Sequence, residues 1–382
     1  MSTWWKDDTD LIDEQMAILD IAADESILIQ GPPGSGKTNL LLLRANYLAL
    51  GASPNLQVVV FGSLLKSFIQ IGGAQYKFPV ERITTHARLF NDILRENGKG
   101  FDANGMDLEQ ARQLRADGVQ ALINSGKVAK LFDALLLDEA QDYTPQEIKI
   151  FAALTKVLVA AADEHQQVFE VDSCFAELEA ATTIKHGLNY HFRNGRDICS
   201  IADAILAGYP SHVPLRPNAQ YDELAYPVKV TSKSDLSIAE QAQAIADQIA
   251  DQLVAYPGEK IGVLCPKNED VLLIADHLAG LGYASQLTIC KSDEFDPQAP
   301  IWLSSMSAAK GLEFRCVHIA GLDNLSRMGG VQKRLAYTAV TRAKTALSFY
   351  YDKKIPAYLD GAISVVIPRS KIVTKARIFG KE

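Results

Sequence analysis

Apolar and polar positions in the first half of the chain follow two alternating periods. Short apolar runs at 26–30 (SILIQ), 57–61, 81–84, 134–138 and 157–162 have the aliphatic and β-branched character of buried strands, and each is followed by a helical stretch. Residues 37–50 (KTNLLLLRANYLAL) are apolar on nearly every face, as in a helix buried against a sheet. Thr144-Pro145-Gln146-Glu147 has the arrangement of a capping box with Pro at the first helical position, so a helix is predicted to begin there. Alternation of this kind predicts an α/β fold with a mostly parallel sheet and crossovers on both faces.

A second alternating series starts near Thr182. It has strand patterns at 227–231, 260–265, 301–304, 317–321 and 346–351, and a helix at 238–254 whose Ile238, Ala242, Ile245, Ile249 and Leu253 form one stripe. The join between two successive sheets is expected around 180. Residues 97–118 break the pattern: polar, Gly-containing and poor in β-branched residues, they read as part of a small, mostly helical insertion at about 97–130, outside the core. Residues 210–226 are a Pro-containing, non-periodic connection.

At 382 residues, 48% apolar and 22% charged, the chain has room for two or three globular domains, and the composition excludes disorder and a small disulfide scaffold. The net charge of -8 means that any contact with a phosphate backbone must be made by a local groove rather than by the overall field. Five widely spaced cysteines lack metal or redox spacing, and no run is long enough for a membrane span, so a cytoplasmic location with reduced thiols is expected. Positive charge is concentrated only in the tail, at Arg369, Lys371, Lys375, Arg377 and Lys381.

The chemistry begins at Gly31-Pro32-Pro33-Gly34-Ser35-Gly36-Lys37-Thr38. This is G-x-x-x-x-G-K-[ST] between a strand and a helix, the context in which it cradles phosphate. Glycines let backbone N–H groups converge on phosphate oxygens, and the helix N-terminus adds its dipole. Lys37 is expected to bridge the β- and γ-phosphates, and Thr38 to hold Mg²⁺. A second apolar strand delivers Asp138-Glu139-Ala140-Gln141-Asp142. Asp138 at its edge would anchor Mg²⁺, and Glu139 would polarise the attacking water.

These strings, in this order, resemble the UvrD/Rep-like superfamily 1 helicases and translocases from Gln15 to about Lys344. The resemblance implies two tandem RecA-like P-loop domains, 1–181 and 182–366, with a basic tail at 367–382, ATP in the cleft between the domains and single-stranded nucleic acid across their top. It implies that Gln15 reads adenine, that Gln166 in ADEHQQVF senses the γ-phosphate and that Phe169 stacks on a nucleic-acid base. LNYHFR is similar to the fourth motif, with Phe192 against the nucleotide base and Arg193 as one arginine finger. SMSAAKGLEF is similar to the fifth, with Gly311 and Glu313 at the nucleotide (Glu313 on the ribose) and Ser305 and Ser307 along the strand. RLAYTAVTRA is close to the sixth, with Arg342 as the second finger, and Thr85 and His86 fall where an early motif grips nucleic acid.

The sequence departs from the family pattern at Asn39, at Glu170-Val171-Asp172 and at Ser307, where the family commonly has Arg, Arg and His. Its accessory insertions are reduced or absent. The reading is an ATP- and Mg²⁺-dependent motor on single-stranded nucleic acid, DNA favoured over RNA. The alternative is a nucleotide-gated regulatory ATPase subunit working beside a protein partner such as a nuclease or toxin, with little or no unwinding.

Overall fold

The computed structural model describes residues 10–51, 53–70, 75–166, 172–209, 212–290, 295–327 and 331–368. Phe169 and the basic tail from Arg369 onward lie outside them.

The first half contains α1 (Asp13–Leu19), β1 (Ile27–Gln30), α2 (Lys37–Leu50), β2 (Leu56–Val60), α3 (Ser63–Gln70), β3 (Ile83–Thr85), α4 (His86–Glu96), α5 (Leu108–Asn124), β4 (Phe132–Leu137), α6 (Pro145–Leu154), β5 (Thr155–Ala162), α7 (Phe175–Ala181) and β6 (Ile184–Gly187). The second contains α8 (Arg196–Ile205), β7 (Lys229–Lys233), α9 (Ile238–Ala255), β8 (Ile261–Cys265), α10 (Asn268–Leu278), β9 (Leu287–Ile289), β10 (Ile301–Ser305), β11 (Phe314–Ile319), α11 (Gln332–Val340), β12 (Ala343–Tyr350) and α12 (Ala357–Ser364). The strands form two six-stranded parallel sheets, ordered β3-β2-β4-β5-β1-β6 and β7-β12-β11-β8-β10-β9. This is the tandem RecA-like arrangement.

Each sheet is covered on both faces, and the period of two along its strands decides which side chain enters which core. In the first sheet Ile27, Ile29, Val58, Val60, Leu136 and Val159 pack with α2 on one side. Leu28, Val59, Leu135, Leu137 and Leu158 pack with α4, α5 and α6 on the other. Trp302, Phe314, Val317, Leu347 and Phe349 fill one core of the second sheet. Val263, Cys265, Leu303, Cys316 and Tyr350 fill the opposite one. The two lobes also meet through apolar contact: Phe68 of α3 packs edge-on against Trp302 at 6.2 Å, and Leu65 lies where a Cβ on Gly311 would stand, 2.8 Å away.

Two expectations need correction. The strand at 184–187 lies beyond the join expected around 180, yet it is the edge of the first sheet, with Ile27 opposite Ile184 and Gln30 opposite Gly187. Periodicity marks a strand but carries no information about which neighbour it will find. The 97–130 stretch is not external to the core either. Its helix α5 buries Ala111, Ala116, Val119 and Leu122, the last three in the core shared with β4 and β5. Gly118 lets α5 approach α4, since a Cβ there would stand 2.9 Å from Leu94. Small side chains hide such a packing face from a hydrophobicity pattern.

Candidate active site

In the first sheet the chemistry-bearing residues leave the carboxyl ends of parallel strands, where open α/β sheets place their ligands. The loop 31–36 follows β1, Asp138 and Glu139 follow β4, and Asp163 and Gln166 follow β5. From the second half, Arg193 comes from the segment leading into α8, Gly311 and Glu313 precede β11, and Arg342 lies between α11 and β12. All but Asp163 of these named side chains line one cleft of about 460 Å³, together with Gln15, Lys37, Thr38 and Phe192.

The loop 31–36 needs its glycines. Gly34 and Gly36 have φ of +77° and +90°, and a Cβ on Gly34 would stand 2.5 Å from the Cβ of Arg193. The Phe192 amide donates to Gly34 O at 3.0 Å, so the fourth-motif segment is docked directly on the loop. Lys37 Nζ donates to the carbonyls of Gly31 and Pro32 at 2.7 and 2.9 Å. Gln15 Nε2 donates to Ser35 O at 2.9 Å.

Thr38 Oγ1 donates to Asp138 Oδ2 at 2.9 Å. Burial, reinforced by the adjacent Glu139 carboxylate, pushes Asp138 up to about 7. Burial also works against ionised Glu139, but the charges of Lys310, Arg342 and Lys37 outweigh it and hold that carboxylate below its usual range. The two neighbouring acids are thus pulled apart, and Glu139 is the stronger acid. Glu139 adopts φ +50°, a left-handed conformation that costs a non-glycine residue about 1–3 kcal/mol and must be enforced by its surroundings. Gln141 supplies one restraint: its Nε2 donates to Glu139 Oε2 at 2.6 Å while its Oε1 accepts from the Asp163 amide at 2.9 Å.

Gln166 connects the lobes. Its Nε2 donates to Asp163 Oδ2 at 2.7 Å, and its Oε1 accepts from Arg342 Nη2. Arg342 is buried and further fixed by Thr338 O and Leu312 O, both at 3.0 Å. Arg193 Nε donates to Glu313 Oε2 at 2.9 Å, and Lys344 Nζ pairs with Glu313 Oε1 at 2.5 Å. Burial alone would raise Glu313, but these two cations overcome it and hold the carboxyl at about 2.

Other groups have contacts that sequence reasoning did not assign. Lys310 Nζ, from the fifth motif, lies 2.7 Å from both oxygens of Asp142, 3.6 Å from Glu139 Oε2, and donates to Gln166 O. Asp142 is the last acid of the DEAQD string, so the signal was present as a motif without a partner. Glu14 accepts from the amides of Asn189 and Tyr190 at 3.1 Å, tying α1 to the segment that joins the lobes.

The expected nucleic-acid residues are not equivalent. Thr85 ends β3 and caps α4, its Oγ1 accepting from Arg88 N at 3.3 Å. Ser305 ends β10, 3.3 Å from the Ser307 hydroxyl. His86 is buried, stacked on Phe61 at 5.0 Å and edge-on to Tyr143 at 5.6 Å, so its ring faces the packed interior. Burial pushes it down to about 4, against the pull of nearby Glu147. Among the described residues no cluster of three or more His, Cys, Asp or Glu could hold a metal, and no helix is long and apolar enough to cross a membrane.

Comparison with known proteins finds a family match in the second half. Residues 300–350 match the UvrD-like helicase C-terminal domain family. Among curated proteins, none matches. The solved C-terminal domain of a possible DNA helicase from Lactobacillus plantarum WCFS1 is similar at 16% identity and TM-score 0.34, over 46% of this chain and 96% of that one. The helicase of PRRSV is similar at 16% identity and TM-score 0.43, over 88% of this chain, which spans 54% of that protein. The matched stretch runs from β10 to β12 of the second sheet, and over it the chain is similar to the C-terminal domain of UvrD-like helicases.

Proposed function

We propose that this chain is a superfamily 1 motor that hydrolyses ATP with Mg²⁺ and acts on single-stranded nucleic acid, DNA in preference to RNA. One observation carries the reading: the guanidinium groups of Arg193 and Arg342, from the second lobe, line the same cleft as the phosphate loop of the first.

The donor set fits Mg²⁺. Thr38 and Asp138 offer neighbouring oxygens, and the burial and adjacent negative charge that raise Asp138 are what a divalent cation would relieve. One carboxylate and one hydroxyl suit an ion that keeps water and substrate phosphate as its remaining ligands. When bound, Mg²⁺ would neutralise charge on the β- and γ-phosphate oxygens.

The chain's own residues do the rest. Loop amides and Lys37 hold the triphosphate, while Glu139, ionised and fixed by Gln141, takes a proton from the attacking water. Gln166 orients that water or the γ-phosphate. As the water oxygen bonds to the γ-phosphorus and the bridging oxygen leaves with ADP, Arg193 and Arg342 stabilise the spreading charge, an effect worth roughly 10³–10⁵ in rate where arginine fingers are known. Because those charges come from the second lobe, hydrolysis depends on how the lobes sit, and lobe movement can follow the nucleotide's state. Thr85, Ser305 and Ser307, at the carboxyl ends of their sheets, are the groups proposed to touch the strand.

The inward placement of His86 favours a second reading, a nucleotide-gated regulatory ATPase that does not translocate. Steady-state ATPase measured against single-stranded DNA and RNA separates the two. The motor reading expects stimulation of roughly tenfold or more by DNA, reduced by Thr85→Ala. No response to either polymer would favour the gated subunit, and no hydrolysis by the wild type, or hydrolysis surviving in Lys37→Ala, would overturn both.

A further inference from the structure

The nucleotide cleft has an outer wall that none of the motifs accounts for. A chain of contacts leads to it from the phosphate loop: Arg193 lies against Gly34, Glu313 pairs with Arg193 at 2.9 Å, and Lys344 pairs with Glu313 at 2.5 Å. Next along β12, Thr345 Oγ1 lies 2.5 Å from Tyr221 Oη and 3.3 Å from Arg315 Nη1. Arg315 is buried, its guanidinium fixed to Glu259 at 2.5 Å and to Tyr221 Oη at 3.1 Å. The same guanidinium lies 4.2 Å from the centre of the Tyr226 ring. Tyr226 lines the cleft and remains 40% exposed.

The turn that carries both tyrosines is built rather than loose. Asp222 Oδ1 accepts from the amides of Leu224 and Ala225 at 3.1 and 3.0 Å, and the Tyr226 amide donates to Asp222 O at 3.1 Å. Glu223 anchors it to the start of α8 by accepting from Arg196 N at 2.5 Å. A flat ring held in place by a cation beneath it loses little freedom when a second flat group stacks on it.

We propose that Tyr226, backed by Arg315, is a base-stacking wall of the nucleotide site and sets its preference for purine nucleoside triphosphates. This rests on the nucleotide reading of the cleft given above. Stacking on an aromatic face is indifferent to hydrogen-bonding edges, so the wall favours a large base over a small one and does not separate adenine from guanine. Phe192, in the same cleft, supplies the other aromatic surface.

The test compares wild type, Tyr226→Ala, Tyr226→Phe and Arg315→Met in hydrolysis of ATP, GTP and CTP, with inorganic tripolyphosphate as a base-free competitor. Tyr226→Ala is expected to raise KM for ATP and GTP about tenfold, with less effect on CTP and with the loss in KM rather than kcat. Tyr226→Phe, which keeps the ring, should restore the wild-type KM, and Arg315→Met should shift KM in the same direction as the alanine variant. Inhibition by tripolyphosphate should be the same for wild type and Tyr226→Ala. An unchanged KM in a folded Tyr226→Ala protein, or equal weakening of ATP and tripolyphosphate, overturns the stacking wall while leaving ATP hydrolysis standing. Absence of any hydrolysis by wild type would instead fail the underlying nucleotide reading.

Discussion

Glu139 shows how single residues here depend on contacts from the other lobe. Its carboxylate is kept ionised, against burial, by Lys310 and Arg342 of the second half and by Lys37 of the first. Replacement by Gln keeps the shape and the Gln141 contact region but removes the proposed proton acceptor. Glu139→Gln is therefore expected to lower turnover by roughly 10²–10⁴ while nucleotide binding persists, as single-turnover hydrolysis and equilibrium binding of a fluorescent ATP analogue would show. The positions of Lys37, Thr38, Asp138 and Glu139 at strand ends along one cleft were legible because they sit in contiguous strings beside strands. Lys310, Lys344 and Arg315 were not, because their partners Asp142, Glu313 and Glu259 lie far away in sequence, in Asp142's case in the other lobe. The direction of the His86 ring was not legible for a related reason: its string marks a position near the sheet top, but only packing against Phe61 and Tyr143 decides that the ring points inward.

Elements were read well where local chemistry fixes them. Helix α2 begins at Lys37 and ends at Leu50, as its apolar run predicts. Helix α6 begins at Pro145 behind a Thr144–Glu147 capping box, with Glu147 N donating to Thr144 Oγ1 at 3.2 Å and Thr144 N to Glu147 Oε2 at 2.8 Å. Thr144→Ala should cost about 1 kcal/mol, seen as a lower urea midpoint with an unchanged slope. The phosphate loop is constrained differently. Gly34→Ala would place a methyl 2.5 Å from Arg193 Cβ at a φ of +77°, so it should push the two lobes' segments apart and abolish hydrolysis, with loss of ATP binding in the same titration. The edge strand β6 and the helix α5 were the elements read wrongly, since strand partnership and small-residue packing are tertiary facts with little local trace.

At the scale of the whole molecule, two parallel sheets are lined on both faces by apolar cores, four among the described residues, and some polar groups are sealed inside them. His318 is one: burial drives it down to about 3, and its ring nitrogens lie 3.0 Å from Tyr350 Oη and 2.9 Å from Gln252 Oε1. An unfolded chain takes up a proton at this histidine near 6.5, whereas the folded one resists it until about 3. Its contribution is thus fully present above 6.5 and is lost as pH falls through that window, by up to about 1.4 kcal/mol per unit. Urea unfolding between pH 7 and 5 should show stability falling with acid, less steeply in His318→Gln. At the same scale, the proposed phosphoryl-transfer site is complete in neither lobe alone, because the cleft is lined by residues of both. The most direct measurement is the rate of ATP hydrolysis by Arg342→Ala beside its affinity for ATP. If Arg342 is an arginine finger, kcat falls by roughly 10³ or more with affinity changed only a few-fold; turnover at the wild-type rate would contradict that role.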